Sequence, residues 1–330
     1  MKKLLIALLC LALGAVPALA EKGLETIRQE EIAVGDPPLP GALTIPDSPS
    51  PLPAAVLLHG SGPNDRDETL GNTKLFLDLA DGLSREGIAV LRYDKRTLVY
   101  GADYTAEELL TITVREEAML DAVAAAELLR SDPRVDPNRI YLIGHSMGAM
   151  LAPRIAAENP GLFAGIILLS GTPKTLADIV ISQNQAIVDA LPDATRPIGQ
   201  MQLQALVSQW EAVRNGTKEQ ALTQLAFGQP AYYFWEMAQY DTAALLRSLP
   251  LPALIINGGA DFQVSDGDGI DAWRAADLPD SALLSYHPDL NHLLMDPGAP
   301  EDIRGTAAEY NIPCHAAPEI THEIIQFIQP

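Results

Sequence analysis

In the run Gly144-His145-Ser146-Met147-Gly148, a serine stands between two glycines, directly after an apolar stretch and directly before a helical pattern. A serine hydroxyl is a useful nucleophile only when a base takes its proton. A strand-to-helix turn presents such a serine at the positive end of the helix, and the glycines let neighbouring backbone approach. Candidate bases are His59, His145, His287, His292, His315 and His322. Chemistry of this kind on such a turn uses the chain order Ser, Asp/Glu, His. Gly258-Gly259-Ala260-Asp261 follows an apolar run, so Asp261 falls at a strand's C-terminal edge, where open sheets gather their functional groups. The loop Asp289-Leu290-Asn291-His292-Leu293 follows a further strand pattern and makes His292 the expected base, with His287 its main competitor. His322, in a terminal helical segment, and His315, beside Cys314, have no supporting turn.

Acyl transfer places negative charge on a carbonyl oxygen, which two backbone N–H groups usually stabilise. Met147, next after the serine, is expected to supply one. The other falls in His59-Gly60-Ser61-Gly62-Pro63, after the apolar run 54–58, with Ser61 as the assigned donor and Gly62 as the fallback. His59 is expected to brace this loop rather than move a proton. The charged runs Asp65-Arg66-Asp67-Glu68 and Asp94-Lys95-Arg96 read either as ion pairs that fix the loop or as solvated surface.

The elements that must hold these groups follow from periodicity. Short apolar runs at 54–58, 88–93, 139–143, 165–169 and 253–257 read as strands covered on both faces. Helical patterns from about 74 to 86, from 115 to 130 and from Ser146 to Pro160 lie between them. Two weaker alternating stretches, at 26–34 and 42–45, favour antiparallel strands. The fold class is α/β, a doubly wound and mainly parallel sheet. From about 172 to 249 the alternation stops and the pattern is helical, which reads as an inserted cap. It carries the aromatic cluster Tyr232-Tyr233-Phe234-Trp235, of which Tyr233, Phe234 and Trp235 are the candidate substrate contacts.

The chain has 330 residues, 48% hydrophobic and 20% charged, with a formal net charge of −21. That hydrophobicity excludes general disorder, and the acidity disfavours nucleic acid and bare anionic membrane as partners. Lys2 and Lys3, the apolar stretch 4–13 and Ala18-Leu19-Ala20 read as a signal peptide cut after Ala20, leaving residues 21–330 as one exported domain, periplasmic or secreted, with no stable membrane insertion. Cys10 would leave with that leader, and Cys314 alone can form no internal disulfide. No Cys/His spacing points to a metal.

Taken together, the His59–Pro63 loop running into Asp65–Glu68, Arg92-Tyr93-Asp94-Lys95-Arg96, the turn at Ser146 and the loops at Asp261 and His292 resemble the α/β-hydrolase superfamily. Within it they are similar to exported bacterial esterases grouped with dienelactone-hydrolase-like and prolyl-oligopeptidase-like hydrolases. The resemblance implies an eight-stranded-type sheet, a Ser-His-Asp triad and no cofactor. One departure is Ala149, where relatives often carry a second glycine; its methyl is expected not to block the turn. The expected reaction is hydrolysis of a small carboxylic ester, with an apolar acyl or aryl group suited to the aromatic cap. Amide or peptide cleavage of the serine aminopeptidase type is the enzymatic alternative. A catalytically silent exported binding protein is the alternative of another class.

Overall fold

The computed structural model describes residues 26–329, so the leader and its cleavage point lie outside the described residues. Eight strands form one sheet: β1 Ile27–Val34, β2 Leu39–Pro46, β3 Leu52–Leu58, β4 Ala89–Tyr93, β5 Val135–His145, β6 Gly165–Leu169, β7 Ala253–Gly258 and β8 Ala282–His287. Their spatial order is β1-β2-β4-β3-β5-β6-β7-β8. β2 pairs antiparallel with both β1 and β4, and every other pairing is parallel. The two weakly alternating stretches are thus an antiparallel hairpin at one edge, and the five apolar runs are interior strands.

Alternation along β3 shows how the layers form. Ala54, Val56 and Leu58 pack into one core, while Ala55 and Leu57 pack into the other. The first core is covered by α1 Leu120–Ser131 and α2 Met147–Glu158. The second is covered by helices Leu75–Arg85 and Pro318–Ile328. Leu75, Phe76, Leu79, Ala80 and Leu83 make one apolar stripe on the former, which explains its docking. The helical pattern from 115 opens with a π-helical turn, Arg115–Met119, before α1 begins.

Between β6 and β7 the chain leaves the sheet. Helices α3 Leu176–Asp189, α4 Arg196–Arg214, α5 Ala231–Met237 and α6 Thr242–Ser248 fill this stretch. Thr175 and Asp178 start α3 with a reciprocal capping box. A minimal antiparallel bridge, Leu225–Ala226 with Gln229–Pro230, is extended structure that the helical pattern did not foretell. These elements have a small core of their own, centred on Ala177, Trp210, Val213, Ala226, Ala231 and Phe234. Among the described residues, no helix is long and apolar enough to cross a membrane.

Candidate active site

Ser146 sits between the end of β5 and the first residue of α2, with φ 53° and ψ −118°. For a non-glycine residue this backbone costs about 1–3 kcal/mol and persists only where the surroundings over-determine it. They do. Ser146 N–H donates to the Leu169 carbonyl at 2.9 Å, tying the turn to β6. A Cβ on Gly148 would lie 2.2 Å from the Leu58 carbonyl oxygen, so only glycine lets α2 press against the end of β3. Ala149 is accommodated by Gly171, where an added Cβ would meet the Ala149 methyl at 2.5 Å.

Asp261 follows β7, and His292 lies in the loop after β8. His292 Nδ1 is 2.7 Å from Asp261 Oδ2, and both residues are buried. The other carboxylate oxygen, Oδ1, accepts N–H groups of Gln263 at 2.7 Å and Val264 at 2.8 Å. A carboxylate so supplied is fixed in direction. It takes the imidazole Nδ1–H, which leaves Nε2 without that proton. The competing histidines are engaged elsewhere. His287 Nε2 lies 3.0 Å from Glu323, and His315 pairs with Asp78 at 2.8 Å. His322 lies 2.9 Å from the Gln326 amide. Burial pushes the His59 imidazole down to about 4, and its Nε2–H donates to the Asp65 carbonyl at 3.0 Å.

The loop 59–63 is built from charge. Glu68 Oε1 accepts the Gly60 N–H at 2.8 Å, while Oε2 pairs with His145 Nδ1 at 3.0 Å. Burial is the largest single influence and works against both charges. Their mutual pairing, together with the Gly60 and His292 backbone hydrogen bonds, outweighs it, so the His145 pKa is raised and that of Glu68 lowered. The far ring nitrogen of His145 donates to the His292 carbonyl at 3.0 Å. One carboxylate therefore links the loop, the serine turn and the base loop. Arg66 forks onto Asp94 at 3.0 and 3.1 Å, and Arg92 reaches Asp67 at 3.0 Å. The two charged runs are therefore paired with structure rather than solvated.

Ser146, Ser61 and His292 line one small cavity of about 100 Å³, with Met150, Leu176, Ile179 and Val180 among its walls. Ser61, Leu176 and Val180 also line a neighbouring cavity of about 600 Å³, which Tyr233 and Phe234 help to enclose. Trp235 does not belong there. On the seven-residue α5 it turns away, donates its Nε1–H to the Gly216 carbonyl at 3.2 Å and stacks on Tyr232. Three consecutive positions span most of a helical circumference, so one face cannot hold all three aromatics. Sequence reasoning missed Thr97, Tyr104, Leu109 and Ile112, which line the larger cavity from the segment between β4 and the π-helical turn. A Thr105–Glu108 capping box was the available signal for a helix there.

The chain belongs to the alpha/beta hydrolase family, whose model matches residues 55–305. It is 34% identical over 309 residues to esterase EstD of Thermotoga maritima, an alignment covering 92% of this chain and 68% of that one. Among solved structures, Est1E of Butyrivibrio proteoclasticus superposes with a TM-score of 0.53 at 13% identity, covering 90% of this chain and 98% of that one. The acylaminoacyl peptidase of Pyrococcus horikoshii gives 0.51 at 13% identity, over 93% of this chain and 42% of the peptidase. These two likenesses establish a common fold.

Proposed function

We propose that the protein is a serine esterase in which Ser146 attacks the ester carbonyl, His292 is the general base and Asp261 orients the imidazole. The carrying observation is geometric: a serine on a strained strand-to-helix turn and a histidine locked onto a buried carboxylate open on one cavity. As Ser146 Oγ bonds to the carbonyl carbon, its proton passes to His292 Nε2 and the π electrons move to the carbonyl oxygen. The Ser61 and Met147 N–H groups stabilise that oxygen. Collapse expels the alcohol oxygen, which takes the proton from His292 and leaves an acyl-serine. Water then repeats the sequence to release the acid and restore Ser146.

Ester substrates are favoured over peptides by the lining of the site. Apart from His292, Glu117 is the one ionisable acid or base with a charge among the described residues lining the two cavities, and both its oxygens are engaged. No free carboxylate there awaits a peptide's amino group. The larger cavity, with Leu109, Ile112, Val180 and Phe234, suits an apolar acyl group, and ester cleavage agrees with the named activity of the Thermotoga relative. The test is hydrolysis of p-nitrophenyl esters from acetate to palmitate, with Ser146→Ala alongside. Turnover that disappears in the variant supports the reading, and turnover that persists overturns it. Export is part of the same proposal: expressed with its leader in a bacterial host, the mature chain begins at Glu21. Sequencing of the purified N-terminus that found Met1 would exclude cleavage.

A further inference from the structure

Lys95 is buried beside the site, with only 1% of its side chain exposed, and it makes two short contacts. Its ammonium donates to the Gly60 carbonyl oxygen at 2.8 Å and pairs with Glu117 Oε1 at 2.8 Å. The other oxygen of Glu117, Oε2, accepts the Tyr233 hydroxyl at 2.5 Å. Tyr233 belongs to α5, and its oxygen also lies 3.3 Å from Met147 Sδ. A continuous polar chain therefore runs from the aromatic cluster of the cap, through Glu117 and Lys95, to the loop over the serine.

The Gly60 carbonyl and the Ser61 N–H belong to a single peptide unit. That unit is planar, and in its trans form the C=O and N–H point in opposite directions. An ammonium holding the carbonyl on one side thus dictates where the N–H points on the other. Glu68 fixes the preceding peptide unit through the Gly60 N–H, so Gly60 is gripped from both sides. A cation on the carbonyl also polarises the unit and strengthens its N–H as a donor. Stability alone explains the pair poorly, because two charges taken out of water repay their desolvation only with difficulty.

We propose that Lys95, Glu117 and Tyr233 are positioning residues that aim the Ser61 N–H at the developing oxyanion and make that aim depend on the seating of α5. This rests on the esterase reading above. An acyl group in the larger cavity lies against Tyr233 and Glu117, which line it, so occupancy of the cavity steadies the same chain. The loss on breaking the chain falls on the transition state, where the oxygen carries charge, rather than on ground-state binding.

The experiment measures kcat and KM on p-nitrophenyl butyrate and decanoate for wild type, Lys95→Met, Glu117→Gln, Tyr233→Phe and the double variant Lys95→Met/Glu117→Gln, with thermal midpoints for each. Deleting an oxyanion donor outright costs about 10²–10³ in kcat, so misdirecting one in Lys95→Met is expected to cost about 10–100-fold, with KM changed less than about threefold. Glu117→Gln and Tyr233→Phe are expected to lose progressively less. The double variant is expected to be no slower than Lys95→Met alone, because the two groups act as one unit. An unchanged kcat in folded Lys95→Met, or losses confined to KM, overturns the proposal. If Lys95→Met does not fold, kcat of Tyr233→Phe equal to wild type does the same. Failure of the esterase reading is separable: wild type itself would then turn over none of these esters.

Discussion

The serine turn and the cap are built on different principles. Around Ser146 nearly every backbone direction is dictated: a positive φ, a glycine that admits no Cβ, and one carboxylate gripping both the Gly60 amide and His145. The cap has a core of six buried residues and leaves Ile187, Ile198, Met201 and Leu225 more than half exposed. The first region is fixed by named contacts, and the second leaves large apolar side chains outside its core. Chemistry that needs atoms within fractions of an ångström is placed where the fold is over-determined. On the esterase reading proposed above, selection among substrates falls to the cap, whose residues line the larger cavity.

Substitutions at the turn should therefore lower the rate for every substrate, and substitutions in the cap should reorder the substrates. The largest effect is expected for Ser146→Ala, which lowers kcat by more than about 10⁴-fold with the thermal midpoint nearly unchanged. Asp261→Asn follows, at about 10³–10⁴-fold, because an amide at Oδ2 no longer accepts the His292 Nδ1–H and permits the wrong tautomer. Asp289→Asn serves as its comparison, and a larger loss there would assign the acid to the wrong loop. Val180→Phe places a larger side chain at a position that lines both cavities. It is expected to lower kcat/KM for decanoate against acetate by about 10–100-fold. An equal loss on both esters would erase the distinction between the regions.

The smallest effect concerns stability. Burial holds the His59 pKa at about 4 against 6.5 for an ordinary histidine. Below pH 6.5 the unfolded chain takes up a proton that the folded chain refuses, so this residue destabilises the fold progressively as pH falls toward 4. The linkage amounts to about 2 kcal/mol at pH 5. His145 has the opposite sign, since its raised pKa stabilises the fold below pH 6.5 and that contribution is lost as pH rises through the folded value. Urea melts at pH 7 and pH 5 are expected to show a smaller acid loss for His59→Gln than for wild type. Equal losses would mean that another group governs acid stability.

The features legible in the sequence were those encoded locally. The glycines around Ser146, the strand runs and the loops at Asp261 and His292 each announce themselves within about ten residues. What stayed hidden was set by distance in the chain or by rotation. Glu117 meets Lys95 across 22 positions and Tyr233 across 116, and no local pattern marks either pairing. The outward turn of Trp235 is a matter of rotational phase on a seven-residue helix, which periodicity cannot fix. The segment with Tyr104 and Leu109 carries little periodic signal because its α-helices are only five or six residues long.

The central claim is that Ser146 is made nucleophilic by His292. Its most direct test is a fluorophosphonate probe followed by peptide mass spectrometry on wild type and His292→Ala. The account predicts one adduct, on the peptide carrying Ser146, forming at least about a hundredfold more slowly in the variant. An adduct on another residue, or equal labelling of the two proteins, would contradict it.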